Sequence, residues 1–366
     1  MADLRLTKLA KILVQYSLEL KPGDQLEIRT NPLAQDLALI VYQEAVKAGA
    51  NVFSSISIPG SEEIFFKFSN DDQLDYVSPI RKQIYETFDA ILAIGAEYNT
   101  RALSGIDPQR ISRARKAGTP LTKIFLERAA NKDLRWCYTE YPTNASAQEA
   151  DMSYREYQEF VYSAGMLDEP DPVEAWRNEG KRQRELIDWL SGKEVVEIKG
   201  EDIDLRFSIK DRQFKEADGK NNFPDGEIFT GPVEQSAKGW IRFNYPAIYE
   251  GQEVIDVELW FDEGKVVKEK ASKGEILLTS LLNTDDGARF LGEWGIGTNY
   301  GIQRFTKNML FDEKLGGTIH FAVGSGYPET GSVNESAIHW DMLCDMSRSE
   351  ITVDGELFYK DGKFVV

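Results

Sequence analysis

Residues 6–118 alternate between strand-like and helix-like stretches, and this alternation restricts the possible folds more than any other feature of the chain. "LTKLAKILVQYSLEL" (6–20) has apolar residues at helical spacing, and the Pro22-Gly23 turn then leads into the strand-like "QLEIRT". "AQDLALIVYQEAVKAGA" reads as an amphipathic helix ending near Gly49, "NVFSSISI" as a strand and "DDQLDYVSPIRKQIYETF" as one helix. "DAILAIGAEYN" has the small and branched residues of a buried strand. "DPQRISRARKAG" is expected to be helical, with Asp107 as N-cap and Pro108 in the first turn. Strand and helix in alternation predict an α/β domain, a mostly parallel sheet with flanking helices.

The pattern changes after a charged helical stretch whose last part, "DPVEAWRNEGKRQRELIDWLSG", opens on a proline and stops at Gly192. Short strands then dominate: "EVVEIKG", "DIDLRFSI", "GWIRFNYPAI", "QEVIDVELWF" and "KVVKEKA". One helix is expected over 274–283, and two Asp-Gly pairs (354–355 and 361–362) mark hairpin turns at the C-terminus. The expected organisation is an α/β domain over 1–192 and a strand-rich α+β domain over 193–366.

Composition excludes several classes. A net charge of −18 argues against nucleic acid and anionic membrane, both polyanions, as partners. No window approaches about 18 consecutive apolar residues, and the N-terminus has no uninterrupted apolar core, so neither a membrane span nor a signal peptide is expected. A cytoplasmic location follows as the expectation. The sequon at Asn144 then reads as chance, and Cys137 and Cys344, both in apolar or aromatic surroundings, as buried free thiols.

The chain has only two histidines, His320 and His339, and both lie in one C-terminal stretch. Residues i and i+2 of a strand share a face. In "SAIHWDML", His339 and Asp341 therefore point one way and Ile338, Trp340 and Met342 the other. In "GTIHFAV", His320 opposes Ile319, Phe321 and Val323. Each strand sets an imidazole above an apolar row, which suits a site built on a rigid sheet. Imidazole and carboxylate can converge on one divalent cation, although a strand histidine bonded to a neighbouring carboxylate is also an ordinary structural feature. Two carboxylates stand out among apolar and glycine residues: Glu227 in "FPDGEIFTGP" and Glu293 in "LGEWGIGTN". Such a carboxylate either has a buried partner or binds something. Glu313 in "LFDEKLGG" reads as a turn residue, and Tyr327 in "GSGYPETG" as a phenolic donor or a packing residue.

Other chemistries lack their motifs. "GIGTNYG" misses the dinucleotide fingerprint, and the chain has no GxxxxGK[ST] loop, GxSxG elbow, HExxH or CxxC.

In order along the chain, "FPDGEIFTGP", "LGEWGIGTN", "LFDEKLGGTIHFAVGSGYPETG" and "NESAIHWDM" together resemble the thermophilic metallo-aminopeptidase family of the aminopeptidase T and aminopeptidase S type. The N-terminal half resembles it more loosely. The resemblance implies two divalent metal ions, zinc or cobalt before magnesium or manganese, held by Glu227, Glu293, His320, His339 and Asp341, with Glu313 as a further family glutamate. It implies that Tyr327 stands beside the metals, where it would stabilise an oxyanion. Glu293 is the first choice for carrying a proton to the leaving amine. The substrates implied are peptides with a free N-terminus, and a homodimer is implied too. The short "ETGSVNES" replaces a longer glycine-rich loop of some relatives and is expected to border the site. Two other readings stay open: a non-catalytic α/β binding protein with structural histidines, and a metal-dependent hydrolase of another amide.

Overall fold

In the computed structural model, which describes residues 3–249 and 251–366, the chain forms two compact units. The first comprises Met1–Val173 and Gly219–Pro224, the second Glu174–Asp218 and Asp225–Val366. The helix Pro172–Leu190 thus goes almost wholly with the second unit, and the division falls earlier in the chain than Gly192. The reason is packing: Leu186 and Leu190 belong to that unit's hydrophobic core, with Ile187 and Trp189 packed against it.

The first unit is built on a parallel five-stranded sheet in the order Asn51–Ile56, Gln25–Thr30, Ala90–Gly95, Arg135–Glu140, Asn222–Phe223. Strands buried on both faces read as near-continuous small and branched residues, and Ala-Ile-Leu-Ala-Ile-Gly occupies the middle position. The expected helix over 71–88 is in fact two, Asp71–Leu74 and Pro79–Thr87. Proline disfavours helical backbone at the preceding residue; Ser78 stays extended and accepts a hydrogen bond from the Arg81 amide, which starts a new helix. The Asp107-capped helix continues past Gly118 to Ala130. A helical glycine costs only about 1 kcal/mol against alanine, too little to stop a helix that continues into "LTKIFLERAA". A helix at Ser61–Phe68, with Gly60 left-handed at its N-cap, and a strand at Arg135–Glu140 also form.

The second unit contains an eight-stranded antiparallel sheet, running from Lys265–Lys270 at one edge to Lys363–Phe364 at the other, and a five-stranded antiparallel sheet. The order of the latter is His339–Asp345, Thr318–Gly324, Leu291–Gly297, Glu227–Thr230, Lys215–Ala217. The two sheets share one core. Phe207 of the larger sheet meets Trp294 and Phe321 of the smaller edge to face, with ring centroids 5.0 and 5.6 Å apart. Trp294, Ile319, Phe321, Trp340 and Met342 point into this core, so the alternate residues of the same strands emerge on the opposite face. Cys137 and Cys344 are buried, and neither forms a disulfide among the described residues. Among the described residues no helix is long and apolar enough to cross a membrane.

Candidate metal centre

Register places five of the six expected ligands on the face of the smaller sheet that points away from the shared core. Ala322 lies opposite Glu293 on one side and Asp341 on the other; Gly295 lies opposite His320, Gly297 opposite Glu227, and Gly324 opposite His339. Small residues thus alternate with functional ones across four strands, and the long side chains arch over them. Gly295 is where this is strictest: a Cβ there would stand 2.1 Å from His320 Cε1 and 2.2 Å from its Nε2. The imidazole lies directly over the bare glycine.

The functional atoms converge. Glu227 Oε2 is 3.3 Å from His320 Nε2, which is 3.7 Å from Glu293 Oε1. Glu293 Oε2 is 3.1 Å from His339 Nε2, itself 3.5 Å from Asp341 Oδ2. Two groups result, Glu227–Glu293–His320 and Glu293–His339–Asp341, each with ligand atoms within 4.8 Å of one another, and Glu293 belongs to both. His339 Nδ1 donates to the Ser325 carbonyl at 2.7 Å, so its Nε2 can present a lone pair to the site. That outer hydrogen bond fixes the tautomer of a metal-binding histidine.

Burial and charge set the electrostatics. Glu227, Glu293 and His320 are buried, while His339 and Asp341 are partly exposed, so the second group is the accessible one. Burial pushes the Glu227 and Asp341 carboxyls up. Burial would push Glu293 up too, but hydrogen bonds from His320 and His339 outweigh it and hold it at about 2. Burial opposes the charge on His339, yet Glu293 and Asp341 raise it to about 9.

These residues fit a divalent cation. The donor set is three carboxylates and two imidazoles, with the chemistry of zinc or similar ions. Glu227 Oε2 and Asp341 Oδ1 are buried yet make no hydrogen bond among the described residues, a costly state unless something cationic satisfies them.

Tyr327 stands at the mouth, its hydroxyl 3.5 Å from His339 Nε2 and its ring packed on Phe229. Burial and the nearby carboxylates raise its phenol well above the usual range, so it stays a donor at neutral pH. Glu313 joins neither group and is ion-paired to Lys314. Two neighbours went unseen in the sequence. Lys314 is only 1% exposed and lies 3.3 Å from Glu227 Oε1 and 3.8 Å from Asp225 Oδ1. Burial lifts Asp225 to about 7. Lys314 stands among charged residues in "LFDEKLGG" and Asp225 in the Pro-Asp-Gly of "FPDGEIFTGP", and no local signal marks either. The segment 329–336 is strapped down by the Glu234 carboxylate, which accepts from the Val333 amide and the Ser332 hydroxyl.

A sheet face that gathers such a donor set is a candidate metal centre, and comparison supplies the family of the chain. The thermophilic metalloprotease (M29) family matches residues 2–364, and the chain belongs to that family. Among curated relatives it is 26% identical to aminopeptidase 2 of Geobacillus stearothermophilus and 26% identical to aminopeptidase T of Thermus thermophilus. Each alignment covers 98% of this chain and 95% of the relative. Aminopeptidase AmpS of Bacillus subtilis is 22% identical, with 98% of both chains covered. The solved structure of wild-type AmpT from Thermus thermophilus superposes with a TM-score of 0.86 over 99% of both chains at 23% identity, which shows a common fold.

Proposed function

We propose that the protein is an aminopeptidase that removes N-terminal residues from peptides with two divalent cations, zinc or cobalt, held side by side on the smaller sheet. The observation that carries this is the sharing of Glu293: its two oxygens face different histidines, Oε1 toward His320 and Oε2 toward His339. A single-ion site has no need of that arrangement.

Divalent ions held there supply Lewis acidity, polarising the scissile carbonyl and making water a competent nucleophile at neutral pH. The residues do the rest. Glu227 and His320 hold the buried position and His339 and Asp341 the accessible one, with Glu293 common to both. Glu293, facing both histidines, is the residue placed to be shared between the two positions and remains the first choice for carrying a proton to the leaving amine. Tyr327, protonated and at the mouth, is placed to donate to the oxygen that gains charge as the carbonyl becomes tetrahedral.

The test compares hydrolysis of leucine p-nitroanilide with that of its N-acetyl form, before and after chelation and metal re-addition. The expected result is cleavage of the free amine only, lost and restored with metal. Cleavage of the blocked substrate at a similar rate would point to another amide hydrolase. No activity under any metal would refute the enzyme reading.

A further inference from the structure

The first unit carries a crevice of its own. Its sheet order places Gln25–Thr30 between Asn51–Ile56 and Ala90–Gly95, so the chain leaves the carboxyl ends of the first and third of these strands in diverging directions. Open parallel sheets bind ligands in the crevice at such a switch point. Here Thr30, Asn31 and the segment 95–99 line a cavity of about 570 Å3. A second cavity of about 510 Å3 shares Glu97 and Tyr98 with it.

The lining argues against an anion. The helix Ser61–Phe68 starts at this crevice, but its first turn already carries Glu62 and Glu63, which complement its dipole. The lining cation, Arg29, is bound to the fully buried Glu27. Glu62, Glu63 and Glu97 also line the cavity, and among the described residues none of the three has a lysine or arginine partner. Glu97 is exposed at the crevice, and its partial desolvation and the charge of Glu62 both raise its carboxyl. The second cavity adds two phenol rings, Tyr141 and Tyr154, to that of Tyr98. Carboxylate beside aromatic faces is the chemistry that holds organic cations.

We infer that this crevice binds an organic ammonium ion, with Glu97 as its counter-ion and Tyr98, Tyr141 and Tyr154 as its walls. The ammonium is that of a free amine or of a basic side chain on a peptide. None of its lining residues is among those of the metal centre, and its occupancy does not depend on the aminopeptidase reading.

Calorimetric titration of the full-length, metal-loaded protein tests this with 1,5-diaminopentane and with N-acetyl-lysine methylamide; N-acetyl-norleucine methylamide is the neutral control. Saturable binding of either cation and none of the control is expected; binding of only one identifies the source as a free amine or a peptide side chain. Glu97→Gln and Tyr98→Ala should each weaken binding, the former by about tenfold or more, as loss of a charge-assisted contact requires. Both variants should hydrolyse leucine p-nitroanilide at the wild-type rate. The inference is overturned if neither cation binds saturably, if the neutral analogue binds equally well, or if Glu97→Gln leaves affinity unchanged.

Discussion

Gly295→Ala tests the geometry of the centre with a single methyl group. Gly295 lies in a strand opposite His320, and its backbone is not in the left-handed region, so alanine fits the local conformation. The new Cβ would meet His320 Cε1 at 2.1 Å, Nε2 at 2.2 Å and Nδ1 at 2.9 Å. Restoring ordinary contact at 3.4 Å requires the fully buried ring to move by about 1.3 Å. A displacement near 1 Å at a catalytic constellation costs on the order of 100-fold in rate, and disturbing a ligand's support costs about 10- to 100-fold in metal affinity. The assay pairs kcat/KM on leucine p-nitroanilide with metal affinity from chelator competition, and circular dichroism in chelator confirms the fold. Gly297→Ala is the contrast. Its Cβ would strike the Leu315 backbone carbonyl at 2.1 Å, so it should lower stability as well as activity. Wild-type activity and metal affinity in Gly295→Ala would refute the placement of His320 as a ligand.

Other outcomes follow from the same site. Glu293→Gln should abolish turnover, and near wild-type kcat would remove the carboxylate from the mechanism. Tyr327→Phe should lower kcat by about 100-fold or more with little change in KM, the usual cost of losing an oxyanion donor; a change confined to KM would make Tyr327 a binding residue only. Lys314→Met leaves the carboxylates of Glu227 and Asp225 without their buried cation and should cost about 3–5 kcal/mol in urea unfolding of the metal-free protein, with no loss of stability counting against it. His339 is raised from 6.5 to about 9, so its contribution to metal-free stability is complete below pH 6.5 and fades as pH rises through about 9. Protons and metal compete for the same nitrogen. The Tm gap between metal-loaded and metal-free protein should therefore widen from pH 6.5 to 9; a constant gap would mean His339 is no ligand.

The metal-centre face was legible because strand periodicity is local. His339-x-Asp341 and His320 needed only alternation to be placed above an apolar row, and Glu227 and Glu293 were conspicuous for their apolar neighbours. The roles of Gly295, Ala322 and Gly324 were not legible, because a small residue matters here only for what stands opposite it, and register is a long-range property. Lys314 was hidden for the same reason: its partners lie about 90 residues away in sequence. In the first unit the α/β alternation was plain, but Pro79 split an expected helix, and Ser61–Phe68 was missed between a turn and an asparagine cap. The helix Pro172–Leu190 has a clear start and stop, yet its sequence does not say which core its apolar stripe joins.

The sharing of Glu293 by two ions is the central claim, and metal stoichiometry by elemental analysis of wild type, His320→Ala, Asp341→Ala and Glu293→Ala tests it most directly. The expected result is about two ions per chain in wild type, about one in each of the two outer-ligand variants, and essentially none in Glu293→Ala. A wild type that saturates at one ion, or a Glu293→Ala variant that keeps two, would contradict it.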